Sequence, residues 1–142
     1  MTAEQNKAVV RRFFEAFGRA DRDELRAILA PDLVAHSHGA PGTQSREEHI
    51  QGILGWNAAF ETEFTIEAQL AEGDLVATRT TMRAVHDGGE FMGLPPSGKE
   101  VVIGGMTIER VKDGQIVERR VIADYLAMYQ QLGLIPMPEQ AR

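Results

Sequence analysis

The feature that most constrains this chain is a change of hydrophobic period near residue 60. Upstream, apolar residues recur at helical intervals; downstream, they alternate every second position. Thr2 and Gln5 have capping-box spacing, and Val10, Phe13, Phe14 and Phe17 follow on one face, which predicts a helix to about Gly18. Asp21 and Glu24 repeat the arrangement ahead of Leu25, Ile28 and Leu29, with Pro31 ending a short second helix. Leu33 to His38 reads as a strand and Gly39 to Gly42 as a loop. Ser45 with Glu48 caps a third helix bearing Ile50, Ile53, Leu54, Trp56 and Phe60. Then Phe64, Ile66, Ala68 and Leu70 alternate, Leu75 to His86 is rich in Val, Thr and Met, and further strands are predicted at about Val101 to Val111 and Gln115 to Ala123. Asp124 caps a last short helix ending at Gly133. Helices first and consecutive antiparallel strands afterwards predict an α+β fold with helices on one face of a sheet.

At 142 residues, 43% hydrophobic, the chain is expected to form one domain over residues 1–142. With no cysteine, it has no disulfide, thiolate nucleophile, iron–sulfur cluster or cysteine-based zinc site. A net charge of −6 argues against a nucleic-acid partner, since phosphate binding rests on lysine and arginine. No apolar run approaches the roughly 18 residues that span a bilayer, and the N-terminus mixes acids and bases, so no membrane partner and a cytoplasmic location are expected. The ligand should be small and not strongly anionic.

Three stretches carry a family likeness. The run from His86 through Gly88, Gly89, Glu90, Phe91, Gly93, Pro95, Pro96 and Ser97 to Lys99 is the most specific. Ala123-Asp124-Tyr125 leading to Tyr129-Gln130-Gln131-Leu132-Gly133 is the second, and Ala30-Pro31-Asp32-Leu33-Val34-Ala35-His36 the third. Together with the order of elements, they resemble the SnoaL-like polyketide and ester cyclases of the nuclear-transport-factor-2-like superfamily over nearly the whole chain. The resemblance implies a curved antiparallel sheet closed by about three N-terminal helices into a cone around a hydrophobic pocket. It also implies a homodimer and chemistry without metal or cofactor. In the family's aromatic polyketide cyclases a carboxylate on the last strand and a histidine on the strand before it run an aldol closure. Here those positions fall on Val121 and Thr107, and a valine cannot move a proton.

Other groups must therefore be considered. If Lys112, Asp113 and Gly114 form a three-residue loop, Val111 pairs with Gln115, Thr107 faces Arg119, and Glu109 lies one diagonal away on the same face. Glu109 and Arg119 become the candidate acid/base pair, or else an exposed ion pair on the outer face; a two-residue loop would reverse the alternation. His36, at the end of the first strand, is the third catalytic candidate, with His38 beside the pocket mouth. His86 is expected on the inward face of its strand, at the pocket rim or ordering the glycine-rich loop. His49, in the first turn of its helix, is expected to be exposed. Trp56, Phe60, Met92, Thr107 and Val121 complete the expected substrate-binding set. The leading functional expectation is a cofactor-independent enzyme of secondary metabolism that cyclises, isomerises or dehydrates a hydrophobic polyketide-like molecule. The alternatives are a carrier with the same cone, and a hydrolase or dehydratase using the histidines with Glu109.

Overall fold

A computed structural model describes residues 1–37 and 41–136. The order is α1 (Ala3–Arg19), α2 (Arg22–Ile28), β1 (Leu29–Ser37), α3 (Arg46–Ala59), β2 (Phe60–Glu72), β3 (Leu75–His86), β4 (Glu100–Lys112), β5 (Gln115–Ala123) and α4 (Tyr125–Leu132). Each helix start follows from its side chains. Thr2 with Gln5 and Ser45 with Glu48 close reciprocal capping boxes, while Asp21 and Asp124 accept from the backbone N–H of Glu24 and Ala127. Gly133, at φ 81°, ends α4 in the left-handed conformation.

The five strands form one curved sheet in the order β1-β5-β4-β3-β2, which leaves β1 and β2 as edges. Four strands are antiparallel neighbours, but β1 runs parallel to β5. The expected wholly antiparallel sheet is thus mixed. The reason is topological: α3 carries the chain from β1 across the sheet to the far edge, so β1 enters beside the last strand. Strand β1 also begins earlier than expected, before Pro31. Proline has no N–H to give, and the ladder with β5 is interrupted between Leu29 and Val34, which an edge strand tolerates.

The β4–β5 hairpin decides which side chains face inward. Its turn has two residues, Asp113 and Gly114, at φ 51° and 78°, the mirror-image turn that matches strand twist. That corrects the three-residue loop. Lys112 pairs with Gln115 and Val111 with Ile116, yet Arg110 pairs with Glu118, so Val117 is an extra residue on β5. This bulge restores the alternation that the shorter turn would have reversed. Glu109 therefore lies directly opposite Arg119, Thr107 opposite Val121, and all four remain on the inner face.

Two apolar clusters sit on that face. One joins Val10, Phe13, Phe14, Leu25, Ile28, Leu29, Ile50 and Ile116. The other joins Phe60, Ala84, Val101, Ile103, Met128 and Leu132, with Trp56, Phe91 and Tyr125 packed against it. The outer face is different: Val102, Met106, Ile108 and Ile122 are exposed there. Among the described residues, no helix is long and apolar enough to cross a membrane.

Candidate active site

A cavity of about 270 Å³ lies between helices and sheet, lined by residues of both clusters. Phe14 and Phe17 come from α1, His49, Ile53 and Trp56 from α3, Phe64 from β2, Thr80 and Met82 from β3, Val121 from β5, and Tyr125 and Met128 from α4. Part of the wall is bare backbone at Gly104 and Gly105 of β4. A Cβ at Gly105 would lie 3.3 Å from the Ile122 carbonyl and 3.4 Å from Thr80 Oγ1, so glycine keeps this wall flat and the cavity wide.

Arg119 is the one formally charged side chain among the described residues lining this cavity. Its residue exposure is only 4%, and its surroundings account for that. Nε stands 3.0 Å from Oε2 of Glu109 on the paired strand, although the N–H is not aimed to make a hydrogen bond. Nη1 donates to Nε2 of His49 at 3.3 Å, and the guanidinium carbon lies 4.4 Å from the centre of the Phe13 ring, a cation–π contact. Glu109 is fully buried and accepts from the Thr107 hydroxyl at 2.8 Å. Desolvation pushes its carboxyl above the ordinary range, with Arg119 and Thr107 opposing the shift. Glu109 does not line the cavity, so it cannot exchange a proton with a ligand directly. The expected acid/base pair becomes an arginine that lines the cavity and a carboxylate behind it that holds the arginine.

His49 corrects a second expectation. It is 7% exposed, stacked 6.3 Å from Phe13, and donates from Nδ1 to the side-chain oxygen of Gln44 at 2.9 Å. Gln44 is itself pinned by paired backbone hydrogen bonds to Ala35 of β1. Burial, reinforced by the Arg119 charge, lowers the imidazole pKa to about 3. His49 is therefore a neutral acceptor toward Arg119. Its spacing from Ile53 and Trp56, at i, i+4 and i+7, put it on the buried stripe of α3, a signal the first-turn reading passed over.

The other expected residues separate. Trp56, Thr107 and Val121 line the cavity, and the Trp56 indole N–H donates to the Thr62 hydroxyl at 2.8 Å. Phe60 is buried behind Trp56, stacked on it at 4.0 Å, and does not reach the cavity. His36 pairs in register with Arg120 on the outer face and lies 3.9 Å from Glu118, so it does not join Glu109 and Arg119. Period-two alternation explains it: Ala35 and Ser37 point inward and His36 between them points out. His38 falls outside the described residues. His86 is fully buried and orders the glycine-rich loop, donating from Nε2 to the Gly89 carbonyl at 2.7 Å and accepting from the Ser97 hydroxyl at 3.2 Å. Met92 sits exposed on that loop, away from the cavity, while Phe91 packs against Trp56 and Phe60. Tyr125, which the sequence reading used only as part of the Ala123-Asp124-Tyr125 likeness, also lines the cavity.

The family described as SnoaL-like polyketide cyclase matches residues 7–132. The chain belongs to that family. Aklanonic acid methyl ester cyclase DauD of Streptomyces sp. strain C5 is 27% identical over 134 residues, covering 88% of this chain and 80% of that protein. The crystal structure of IdmH from Streptomyces antibioticus superposes with a TM-score of 0.79 at 35% identity, over 91% of this chain and 99% of that one. AclR of Streptomyces galilaeus gives 0.87 at 27% identity, over 98% and 87%. This member of the SnoaL-like polyketide cyclase family has a cavity with valine at 121 and threonine at 107, and Arg119 is the charged group among the described residues that line it.

Proposed function

We propose that the protein closes a ring in a hydrophobic, oxygen-rich polyketide-like molecule in the cytoplasm, by intramolecular carbon–carbon bond formation without metal or cofactor. The observation that carries this reading is the buried guanidinium of Arg119 at the wall of a largely apolar cavity whose other described lining residues are uncharged. Such a cavity can hold a flexible chain near its reactive conformation, an effect worth several kcal/mol, on the order of 7 in well-oriented cases. Arginine N–H groups that face the ligand oxygen stabilise negative charge as it grows during closure, and one such donor typically contributes about 10²–10³ in kcat. Glu109, Thr107 and His49 act as positioning residues for that guanidinium. The acidic C–H between two carbonyls gives its proton to solvent, the enolate carbon attacks the ligand's own carbonyl carbon, and the resulting alkoxide takes a proton back from solvent, so the closure is an isomerisation that consumes no co-substrate.

Val121 favours a second reading, a carrier that binds the same ligand and leaves it unchanged. The hydrolase or dehydratase reading is less favoured, because His36 is on the outer face and His86 is engaged in the loop. The distinguishing experiment incubates EDTA-treated protein with aklanonic acid methyl ester and simpler aryl β-keto esters and follows them by chiral chromatography and mass spectrometry. The enzyme reading predicts a new species of unchanged mass, formed faster than in buffer. Saturable binding without any such species would leave the carrier, and loss of activity on chelation would contradict the metal-free chemistry.

A further inference from the structure

We propose that the unpaired edge of the Arg119 guanidinium is a site for one oxyanion of the ligand, so that the cavity selects molecules bearing an ionisable hydroxyl, such as a phenol or enol. This rests on the reading of the cavity as a substrate site and narrows the substrate to a chemical class.

A guanidinium has five N–H donors, and the protein provides for few of them. One Nη1 hydrogen goes to His49, Nε has only a charge contact with Glu109, and Nη2 has no hydrogen-bond acceptor among the described residues. Guanidinium N–H groups at the cavity wall that have no protein acceptor are free to take a ligand oxygen.

The charges are arranged to match. Glu109 on β4 does not line the cavity and Arg119 does, so the ion pair is a dipole with its positive end toward the ligand. From α3, His49 faces the guanidinium as a neutral acceptor, its tautomer fixed by Gln44. From α1, Phe13 and Phe14 cover the cation with ring faces. From α4, Tyr125 retains its proton because burial raises its pKa. No second carboxylate lines the cavity among the described residues to compete with an arriving anion.

The sign of a pKa shift separates this site from a merely apolar cavity. Desolvation alone raises the pKa of a bound phenol, whereas an adjacent fixed cation lowers it, by about 1–3 units for a close partner. The probe is 2-naphthol, whose ionisation is read by absorbance and which cannot undergo ring closure; 2-methoxynaphthalene, which cannot ionise, reports occupancy. With the whole protein in excess, the bound 2-naphthol pKa is expected to fall by one unit or more below its value in buffer. The Arg119→Met/Glu109→Gln double variant, which removes both charges together, should bind 2-methoxynaphthalene as the wild type does and shift 2-naphthol upward. An unchanged or raised pKa in the wild type overturns the oxyanion site while leaving the cavity reading intact. A lowered pKa that persists in the double variant also overturns it, and failure of the wild type to bind either probe contradicts both readings. Should the double variant fail to fold by circular dichroism, the wild-type shift still decides by its sign.

Discussion

At the scale of single residues, the site is built from polar groups that an α+β core of this size rarely buries. Glu109 and Arg119 have 0% and 5% side-chain exposure, and desolvation acts against both charges. Removing one partner leaves the other uncompensated, so Glu109→Ala should lower unfolding stability by about 3–5 kcal/mol, whereas the Arg119→Met/Glu109→Gln pair of changes should cost much less. Urea denaturation of the two variants and a Glu109/Arg119 double-mutant cycle check this. His49 gives a pH signature of definite sign. Folding lowers its pKa from 6.5 to about 3, so the unfolded chain takes up a proton first as the pH falls. The stability it permits is fully present above pH 6.5 and drains away below, by about 2 kcal/mol at roughly pH 5. Glu109, whose pKa is raised, works in the opposite direction. His49→Gln keeps a neutral acceptor toward Arg119 and does not titrate, so the wild type minus variant difference isolates the histidine. Urea midpoints between about pH 5 and 7 should fall with acid in the wild type and fall less in the variant.

At the scale of elements, the glycine-rich loop between β3 and β4 is fastened from inside by His86 and from outside by close backbone packing. Gly88 donates its N–H to the Ala59 carbonyl at 3.1 Å, and a Cβ there would lie 2.3 Å from the Ala58 carbonyl oxygen. Gly88→Ala must push the loop off the end of α3, which carries Trp56. A thermal melt should show a loss of about 2 kcal/mol or more, with a changed indole fluorescence; an unaltered melt and spectrum would show that the loop docks otherwise. The helix starts were legible because each cap is a local contact between residues three apart, and the inward face of β3 expected for His86 is the one on which Val76, Thr78, Thr80 and Ala84 are buried with it. The hairpin was only half legible. Its pocket face was found, but through a three-residue turn, and the Val117 bulge that restores the alternation has no signature in residue type. The parallel pairing of β1 with β5 joins residues about 85 positions apart, as in Val34 with Glu118, and no local pattern encodes it. His36 and His49 were exchanged for the same reason: which histidine meets Arg119 depends on which elements close over the sheet.

At the scale of the whole molecule, helices cover the inner face of the sheet and leave much of its outer face bare. Met106 and Ile122, paired across β4 and β5, are 56% and 59% exposed, with Ile108 and Val102 beside them. Such exposed apolar residues are what the homodimer implied by the family resemblance would bury. Sedimentation should give a dimer for the wild type and a monomer for Met106→Asp/Ile122→Lys, and a wild-type monomer would count against it. The inner face carries the central claim, that ring closure depends on the buried guanidinium of Arg119 in place of an acid at position 121. Its most direct test is the rate of ring closure by wild type and by Arg119→Met/Glu109→Gln on one substrate, with circular dichroism confirming the fold. A fall in kcat/KM of about 10² or more is the predicted result. Equal rates in the two proteins would contradict it.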